Sequence, residues 1–179
     1  MILESIFAGF GGQGVMLMGQ LLAYSGMYEG KNVTYFPSYG PEMRGGTANC
    51  SVIVSDEPVG SPVISELGIL VAMNRPSMEK FEAALKPGGT LFYNSSLIDV
   101  KPKRTDINVY AIPANEIAID LGNVRVANMV VMGAILKATG IVNIDTVMKV
   151  LTEKVLTGKK KDLVGVNRTA LEKGMDMVS

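Results

Sequence analysis

The sequence predicts an α/β fold: a three-layer α/β/α domain with a mainly parallel, mixed central sheet and a Rossmann-like first βα unit. An apolar run at residues 2–8 leads into a glycine-rich turn at 9–14, and a helical apolar pattern follows at 15–28. Apolar β-type runs then alternate with helical stretches as far as residue 139. Among them, the continuous apolar run at 67–73 is typical of a central strand that is buried on both faces.

Length and composition indicate a single domain over residues 1–179. A chain of 179 residues is long enough for a substantial core. Hydrophobic residues make up 47% and charged residues only 19%, which favours a subunit whose apolar surface is covered by a partner. Lys and Arg balance Asp and Glu at 17 each, so we expect no nucleic-acid binding.

Missing residue types exclude several kinds of chemistry. The sequence has no histidine and one cysteine, Cys50. Without histidine a Ser-His-Asp triad is excluded and the most common metal ligand is absent, so we expect no metal site. One cysteine cannot hold an iron–sulfur cluster. Because Cys50 alternates with Val52 and Val54 in a β-type run at 47–55, we expect it to be a buried thiol.

Targeting signals are not predicted. The first residues lack a basic segment and reach Glu4 at once, and no apolar run approaches 18 residues. The sequence therefore predicts neither a signal peptide nor a membrane span. Together with the single, reduced cysteine, this favours a cytoplasmic location.

The glycine-rich turn is the first candidate site, and its residues are Gly9, Gly11, Gly12, Gln13 and Gly14. Glycines let the backbone turn sharply and approach a ligand closely, and the free N–H groups of the following helix attract an anion. The alternative is that they only pack a helix against a strand. A dinucleotide site would also need an acidic residue about 20 positions later. Residues 32–36 contain none, so NAD is disfavoured while phosphate binding is not.

A loop at residues 37–46 is the second candidate site. It follows a β-type run at 33–36 and holds two prolines and three glycines, which is typical of a shaped loop. A loop after the second strand is expected at the ligand-binding edge, beside the glycine turn, although an ordinary turn is the alternative. Its candidate binding residues are Ser38, Tyr39, Glu42 and Arg44. The guanidinium of Arg44 is a fork-shaped donor suited to phosphate.

Breakers and periodicity predict the middle of the chain. We expect a helix at 75–85, with its proline early where a missing N–H is harmless, ended by the breakers at 86–89. Strands are predicted at 90–94 and 108–112. The basic segment at 101–104 between them is expected to be a solvated loop.

The last part of the chain is predicted to be helical. A short helix at 115–121 precedes one at 126–139 that is apolar nearly all round and therefore buried or at an interface. Asn143 is expected to cap an amphipathic helix. A solvated loop at 158–162 leads to a closing helix at 167–178.

Two motifs together resemble the gamma subunit of 2-oxoacid:ferredoxin oxidoreductases. They are Gly-Phe-Gly-Gly-Gln-Gly at 9–14 and Ser-Tyr-Gly-Pro-Glu-Met-Arg-Gly-Gly at 38–46, and the segment at 125–129 belongs to the same likeness, which covers essentially the whole chain. The resemblance implies a three-layer unit that works beside alpha and beta subunits, and in some enzymes a ferredoxin-like delta subunit. Such an enzyme converts a 2-oxoacid and coenzyme A to acyl-CoA, carbon dioxide and reduced ferredoxin. The short form favours 2-oxoglutarate or a branched-chain 2-oxoacid over pyruvate.

Within such an enzyme, the resemblance implies an accessory role for this chain. It has no Gly-Asp-Gly motif for thiamine diphosphate and no cysteine set, so thiamine diphosphate, magnesium and iron–sulfur clusters are expected in partner subunits, and no catalytic residue in this chain. Coenzyme A is the candidate ligand of the glycine turn and the second loop. Two alternatives stay open. In the first, Glu42 and Arg44 pair with each other or with the alpha subunit, so that the second loop is an interface element. In the second, the chain is a free-standing nucleotide-binding module that uses the turn at 9–14.

Overall fold

The described part of the chain folds into six strands and six α-helices. A computed structural model describes residues 1–39 and 47–179, with the backbone alone for Lys159. In chain order the elements are β1 (Ile2–Phe10), α1 (Val15–Tyr28), β2 (Asn32–Tyr39), β3 (Thr47–Ser55), β4 (Leu67–Ala72), α2 (Arg75–Phe81), β5 (Leu85–Asn94), β6 (Asn108–Ile112), α3 (Ala114–Asp120), α4 (Ala127–Thr139), α5 (Ile144–Lys154) and α6 (Val164–Asp176). Short 3-10 turns lie at Glu82–Ala84, Val124–Val126 and Gly158–Leu163.

The strands form one sheet in the order β2-β3-β1-β4-β5-β6. β1, β4, β5 and β6 are parallel to one another, whereas β3 is antiparallel to both of its neighbours, β1 and β2. All strands except β3 therefore end at the same edge of the sheet, which we call the carboxyl edge. The mixed, mainly parallel sheet confirms the predicted fold class.

Helices cover the two faces of the sheet unequally. On one face α1 and α4 contact the strands, and α3, α5 and α6 pack around them. Their side chains share a core with Phe7, Cys50 and Phe92 of the sheet. On the other face α2 packs on β4 and β1, and Met78 of this helix shares a core with Leu70 of β4. This is the predicted three-layer arrangement, and Cys50 is the predicted buried thiol, with no exposed surface.

β2 is longer than the sequence predicts. Pro37, Ser38 and Tyr39, predicted to be loop, continue the strand and pair with 48–50 of β3. The proline is tolerated because β2 is an edge strand, where a missing N–H need not interrupt a ladder.

The helix predicted at 75–85 is shorter than expected. α2 ends at Phe81, a 3-10 turn follows, and β5 begins at Leu85 instead of residue 90. The predicted breakers at 86–89 thus lie in β5, where a register shift between Leu67 and Ile69 of the neighbouring strand marks a bulge.

Smaller differences occur among the last helices. The predicted loop at 158–162 is a 3-10 turn, and α6 begins at Val164 instead of residue 167. Asn143 occupies the N-cap position of α5 but does not cap it with its side chain. Instead, the Asn143 Nδ2 and backbone N–H groups donate to Glu29 Oε1, at 3.2 and 2.7 Å, and so tie α5 to the end of α1.

Candidate functional site

The glycine turn joins β1 to α1 at the carboxyl edge. Gly12 and Gly14 have φ angles of +94° and +76°, which L side chains rarely adopt, so both positions require glycine. Gly14 is the N-cap residue of α1, and no side chain caps this helix. The first-turn N–H groups and the positive end of the α1 dipole are therefore directed toward this edge.

The side-chain amide of Gln13 forms hydrogen bonds within the turn and to the segment after β4. Its Oε1 accepts hydrogen bonds from the backbone N–H of Phe10 at 2.7 Å and from Asn74 Nδ2 at 3.4 Å, and its Nε2 donates to the carbonyl of Met73 at 3.0 Å. A β-carbon on Gly9 would lie only 2.7 Å from Gln13 Oε1. Gln13 thus ties the turn to the end of β4, and its amide is used for structure.

A cavity of about 210 Å³ opens beside the turn. The turn, the end of β4 and the beginnings of α3 and α4 contribute to its lining. Its polar or backbone donors come from Gly12, Gln13, Asn115, Arg125 and Asn128. Among the described lining residues Arg125 carries the charge, and no carboxylate is present.

Asn128 connects α4 to the glycine turn. It is only 6% exposed, and its Oδ1 accepts a hydrogen bond from the backbone N–H of Met129 at 3.0 Å. Because that N–H group needs an acceptor, the oxygen position is fixed and Nδ2 is directed toward Gly14. A β-carbon on Gly14 would collide with Asn128 Nδ2. Among the described residues, the buried side-chain atoms without a hydrogen-bond partner are Ser25 Oγ and Thr34 Oγ1, so Asn128 Nδ2 is not an unsatisfied buried donor.

α4 also begins at this cavity without a side-chain cap. The preceding 3-10 turn is fixed by Asn123, whose Oδ1 accepts from the backbone N–H of Arg125 at 3.1 Å. The Arg125 side chain is exposed and forms no ion pair with any described carboxylate. Two helix N-termini and one guanidinium therefore give the cavity a positive electrostatic potential.

Ser38 and Tyr39, the predicted residues of the second loop that the structure describes, are exposed at the same edge. Tyr39 and Gly9 pair with opposite sides of Ala48 in β3. They are therefore two strand spacings apart, roughly 10 Å. The other two predicted residues, Glu42 and Arg44, lie outside the described residues. A combined site of turn and loop stays a prediction.

Sequence reasoning missed three polar residues of this cavity: Asn115, Arg125 and Asn128. The sequence does single out residues 125–129, but only as part of the resemblance to gamma subunits and not as part of a binding site. Asn115 Oδ1 accepts from the Nδ2 of the fully buried Asn94 at 2.7 Å. The end of β5 is thereby joined to the start of α3 through two carboxamides.

The predicted basic segment at 101–104 is partly engaged in structure. Arg104 donates to the carbonyl of Leu85 at 2.8 Å and to both carboxylate oxygens of Asp106 at 2.6 Å. Hydrogen bonding to this guanidinium holds the pKa of Asp106 below its usual value. Its guanidinium is thus committed to an internal ion pair.

Within the described ranges, no group of three or more His, Cys, Asp or Glu side chains could hold a metal ion. No helix of these ranges is long and apolar enough to cross a bilayer. Fold and site thus define a three-layer α/β unit with an electropositive cavity at the carboxyl edge of a mixed sheet.

The model of the pyruvate ferredoxin/flavodoxin oxidoreductase family matches residues 4–177, and the chain belongs to this family. It is similar to the ketoisovalerate oxidoreductase subunit VorA of Methanothermobacter marburgensis, with 38% identity over 94% of this chain and 35% of the relative. The chain thus spans about a third of the length of that relative. It is also similar to the 2-oxoglutarate synthase subunit KorC of Methanocaldococcus jannaschii, with 32% identity over 97% of this chain and 92% of the relative.

Solved structures agree with this assignment. The gamma subunit of a keto/oxoacid ferredoxin oxidoreductase from Geobacter sulfurreducens superimposes with a TM-score of 0.84 at 32% identity, covering 98% of this chain and 95% of that one. The 2-oxoglutarate:ferredoxin oxidoreductase from Magnetococcus marinus, with 2-oxoglutarate, coenzyme A and succinyl-CoA bound, gives a TM-score of 0.89 at 26% identity. There the match covers 98% of this chain and 31% of that chain.

Proposed function

We propose that this chain is the gamma subunit of a multi-subunit 2-oxoacid:ferredoxin oxidoreductase. The enzyme converts a 2-oxoacid and coenzyme A to acyl-CoA, carbon dioxide and reduced ferredoxin. The observation that carries the proposal is the nearly full-length likeness, in both directions, to the Geobacter gamma subunit. The likeness to KorC, also nearly full-length, supports it further.

In this proposal the chain is accessory. The described residues offer no metal-binding cluster, and the single thiol is buried. We assign thiamine diphosphate, magnesium and the iron–sulfur clusters to the alpha, beta and ferredoxin-like delta partners. Thiamine diphosphate supplies the electron sink for decarboxylation there. Ferredoxin is the electron acceptor of the complex, and a cytoplasmic location suits such an enzyme.

The favoured substrates are 2-oxoglutarate and branched-chain 2-oxoacids, ahead of pyruvate. The support is that one relative is a ketoisovalerate oxidoreductase subunit and another a 2-oxoglutarate synthase subunit. Steady-state rates of the purified complex with 2-oxoglutarate, 2-oxoisovalerate and pyruvate test this. A kcat/KM for pyruvate above those for the other two contradicts it.

Coenzyme A is proposed to contact the carboxyl edge of this chain. The proposed contact residues are Gly9, Gly11, Gly12, Gln13, Gly14, Ser38, Tyr39, Glu42 and Arg44. The donors at this edge fit a phosphate-bearing ligand, because the α1 N-terminus is uncapped and the described cavity lining carries a positive charge without a carboxylate. The whole cofactor is much larger than a cavity of about 210 Å³, so only one of its end groups could enter.

Purification from the native host through a tag on this chain tests the assignment as a subunit. We expect a brown, cluster-bearing complex that reduces ferredoxin when given a 2-oxoacid and coenzyme A. A colourless, monomeric protein without partners would contradict the proposal. If such a monomer bound a nucleotide, the alternative of a free-standing nucleotide-binding module would be favoured.

Substitutions in the assembled complex test the contact with coenzyme A. Gly12→Val adds a side chain beside the cavity and also strains the turn, because Gly12 has a φ of +94°, so its melting temperature is compared with that of the unmodified chain. Arg44→Ala removes the predicted phosphate donor. If these residues bind the cofactor, the KM for coenzyme A rises while assembly is intact. If the second loop is an interface element, Arg44→Ala weakens assembly instead. Unchanged KM and unchanged assembly would contradict both roles.

A further inference from the structure

A second cavity lies at the opposite edge of the sheet, where β1, β4 and β5 begin. We call it the amino-edge pocket, and it is lined by residues from the segments 2–4, 65–69 and 86–90 and by Thr139. Its volume is about 340 Å³. We propose that this pocket binds an alkylammonium group, with the nitrogen at the carboxylate of Glu4. The proposal goes beyond the proposed function and does not depend on it.

The amino-edge pocket is far from the glycine turn. β1 begins in the pocket at Ile2 and ends at Phe10, within the turn. A strand rises roughly 3.3 Å per residue, so the two ends of this 9-residue strand are roughly 26 Å apart. The two cavities share no described lining residue. The pocket is therefore separate from the candidate site at the carboxyl edge.

Glycines keep the pocket open. Leu67 of β4 pairs with Leu85 of β5, whereas Ile69 pairs with Thr90, so the residues of β5 between these pairs bulge out of the ladder. A β-carbon on Gly89 would lie 2.9 Å from the carbonyl oxygen of Lys86 and 3.1 Å from that of residue 68. A side chain at position 89 would thus fill a place that is bordered by two carbonyl oxygens.

Glu4 supplies a buried negative charge in this pocket. The residue is 9% exposed. Its Oε1 accepts a hydrogen bond from Ser65 Oγ at 3.0 Å, and its Oε2 accepts one from the backbone N–H of Glu66 at 2.6 Å. No ion pair within the described residues includes Glu4. A buried carboxylate without a counter-ion is unfavourable, so a cation bound beside it would stabilise the chain.

The charges of the remaining lining also favour a cation. Glu66 is a second carboxylate, and Lys86 is the cation of the described lining, with its Nζ 3.7 Å from Glu66 Oε2. Two carboxylates against one ammonium leave one negative charge. Thr139 lies in the last turn of α4, where the negative end of the helix dipole attracts a cation. A ligand with one positive charge would balance the pocket.

The size and the apolar lining favour an organic cation over a bare ion. About 340 Å³ corresponds to the space of roughly eleven water molecules. Ile2, Leu3 and Ile69 form an apolar part of the lining, which an aliphatic stem would cover while the ammonium donates to Glu4. A free aliphatic amine and a lysine side chain of a partner protein share this chemistry, and the experiment distinguishes them.

Titration with n-butylamine, which carries its proton at pH 7, tests the proposal. Binding to the full chain is measured by calorimetry and by ¹⁵N chemical-shift changes. We expect a dissociation constant of about a millimolar, in the range for so small a ligand, with shifts at the amides of Gly68, Gly88 and Gly89. Neutral n-butanol, the control ligand, should not bind. If N-acetyl-lysine amide binds as well as n-butylamine, the pocket accepts a partner's lysine; if it does not bind, the ligand is a free amine.

Glu4→Gln is the decisive variant. The glutamine keeps an acceptor for the N–H of Glu66, and its amide can donate to Ser65 Oγ, so we expect the ¹⁵N spectrum to show a retained fold. It removes the charge, and affinity for n-butylamine should fall by about tenfold or more. Glu57→Gln is the matched control, because Glu57 is exposed, lies outside the described lining and loses the same charge. This control should bind n-butylamine as the unmodified chain does.

Lys86→Gln separates the proposed ligand from the lysine that already lies in the pocket. Removal of a neighbouring positive charge should raise the affinity for n-butylamine by about two- to fivefold, whereas Lys101→Gln, at an exposed position elsewhere, should not. The proposal is overturned if n-butylamine does not bind at tens of millimolar, if Glu4→Gln binds it with unchanged affinity, or if the shifted amides lie elsewhere. Binding to Lys86→Gln alone would also overturn it, because Lys86 would then be the pocket's own cation.

Discussion

The side-chain amide of Asn128 occupies the place where a β-carbon on Gly14 would lie. Gly14 also has a φ of +76°, so the backbone conformation and the lack of space both require glycine. Asn128 is buried, and its Oδ1 accepts a hydrogen bond from the Met129 N–H. The starts of α1 and α4 therefore meet at this contact, and Asn128 also lines the cavity beside the turn.

Gly14→Ala should destabilise the chain more than Gly30→Ala. Both glycines have a φ of +76°, but a β-carbon on Gly30 meets nothing within 4 Å. The strain of the left-handed conformation, about 1–2 kcal/mol, is common to both variants. The collision with Asn128 should add about 1–3 kcal/mol in Gly14→Ala. Urea unfolding of the two variants measures the difference.

A double-mutant cycle tests the cause of that difference. Asn128→Ala removes the two atoms nearest to the added β-carbon, Nδ2 and Cγ. In this background the cost of Gly14→Ala should fall toward that of Gly30→Ala, since the strain and a 3.1 Å contact with the Cβ of residue 128 remain. An unchanged cost would mean that the contact between Gly14 and Asn128 is not responsible.

The crossing of α4 and α6 should be intolerant of any side chain at its two glycines. A β-carbon on Gly133 would collide with the carbonyl of Leu171, and one on Gly174 with the carbonyl of Val130. Backbone atoms cannot rotate away, so Gly133→Ala and Gly174→Ala should each cost at least about 1–3 kcal/mol. Thermal or urea unfolding checks this expectation.

Gly165→Ala is the control for the helix crossing. Gly165 also lies in α6, but a β-carbon there has open space around it. Replacement of glycine by alanine in a helix should then be neutral or stabilise by about 0.5–1 kcal/mol. If all three variants behaved alike, close approach of the two backbones would not be the reason.

Local patterns predicted much of the fold. α1, β3 and β6 have the predicted bounds because each is a periodic or apolar run between clear breakers. The end of β2 and the start of β5 were not predictable in the same way. There, proline and glycine are local loop signals, but pairing with strands distant in sequence keeps the backbone extended.

The candidate site was only partly predictable for the same reason. The glycine turn has a local signature, because its positive φ angles require glycine within a few residues. The meeting of Asn128 with Gly14 depends on how α4 lies on the sheet, which no local pattern contains. The internal role of Gln13, whose amide bonds Phe10 and Met73, likewise follows from tertiary structure.

Asp56 should make stability depend on pH below about 4. Its carboxylate accepts hydrogen bonds from Lys31 Nζ at 2.7 Å and from the Met1 ammonium at 2.8 Å. Hydrogen bonding to Lys31, with that to the terminal ammonium, lowers the pKa of Asp56 from 3.8 to about 2. Because the pKa is lower in the folded state, the contribution is present above about pH 4 and is lost as the pH falls toward 2.

Asp56→Asn removes this contribution. At pH 7 its melting temperature should be lower than that of the unmodified chain, and the difference should shrink as the pH falls from 4 toward 2. The pair is exposed, so 1 M salt should also reduce the difference. Asp162→Asn, at an exposed position outside this ion pair, is the control. A pH-independent difference would contradict the role of the charge.

Cys50 should be unreactive in the folded chain. Its side chain is fully buried, and its thiol donates to the carbonyl of Val15 at 3.6 Å. Burial raises the pKa of the thiol from 9.0 to about 12, so the reactive thiolate is essentially absent at pH 8. Since the sequence has one cysteine, mass spectrometry after iodoacetamide treatment should show no label in the native chain and one label in guanidinium.

The same shift predicts a loss of stability in alkali. The folded state keeps the Cys50 proton between about pH 9 and pH 12, whereas the unfolded chain releases it. The unfolded state is therefore favoured progressively as the pH rises above 9. Cys50→Ala should lack this part of the alkaline loss, although it leaves a small cavity that lowers stability at every pH. Two results would contradict this account of a buried thiol. One is labelling of the native chain at pH 8 at the rate of a free thiol. The other is a loss of stability above pH 9 that is the same in Cys50→Ala as in the unmodified chain.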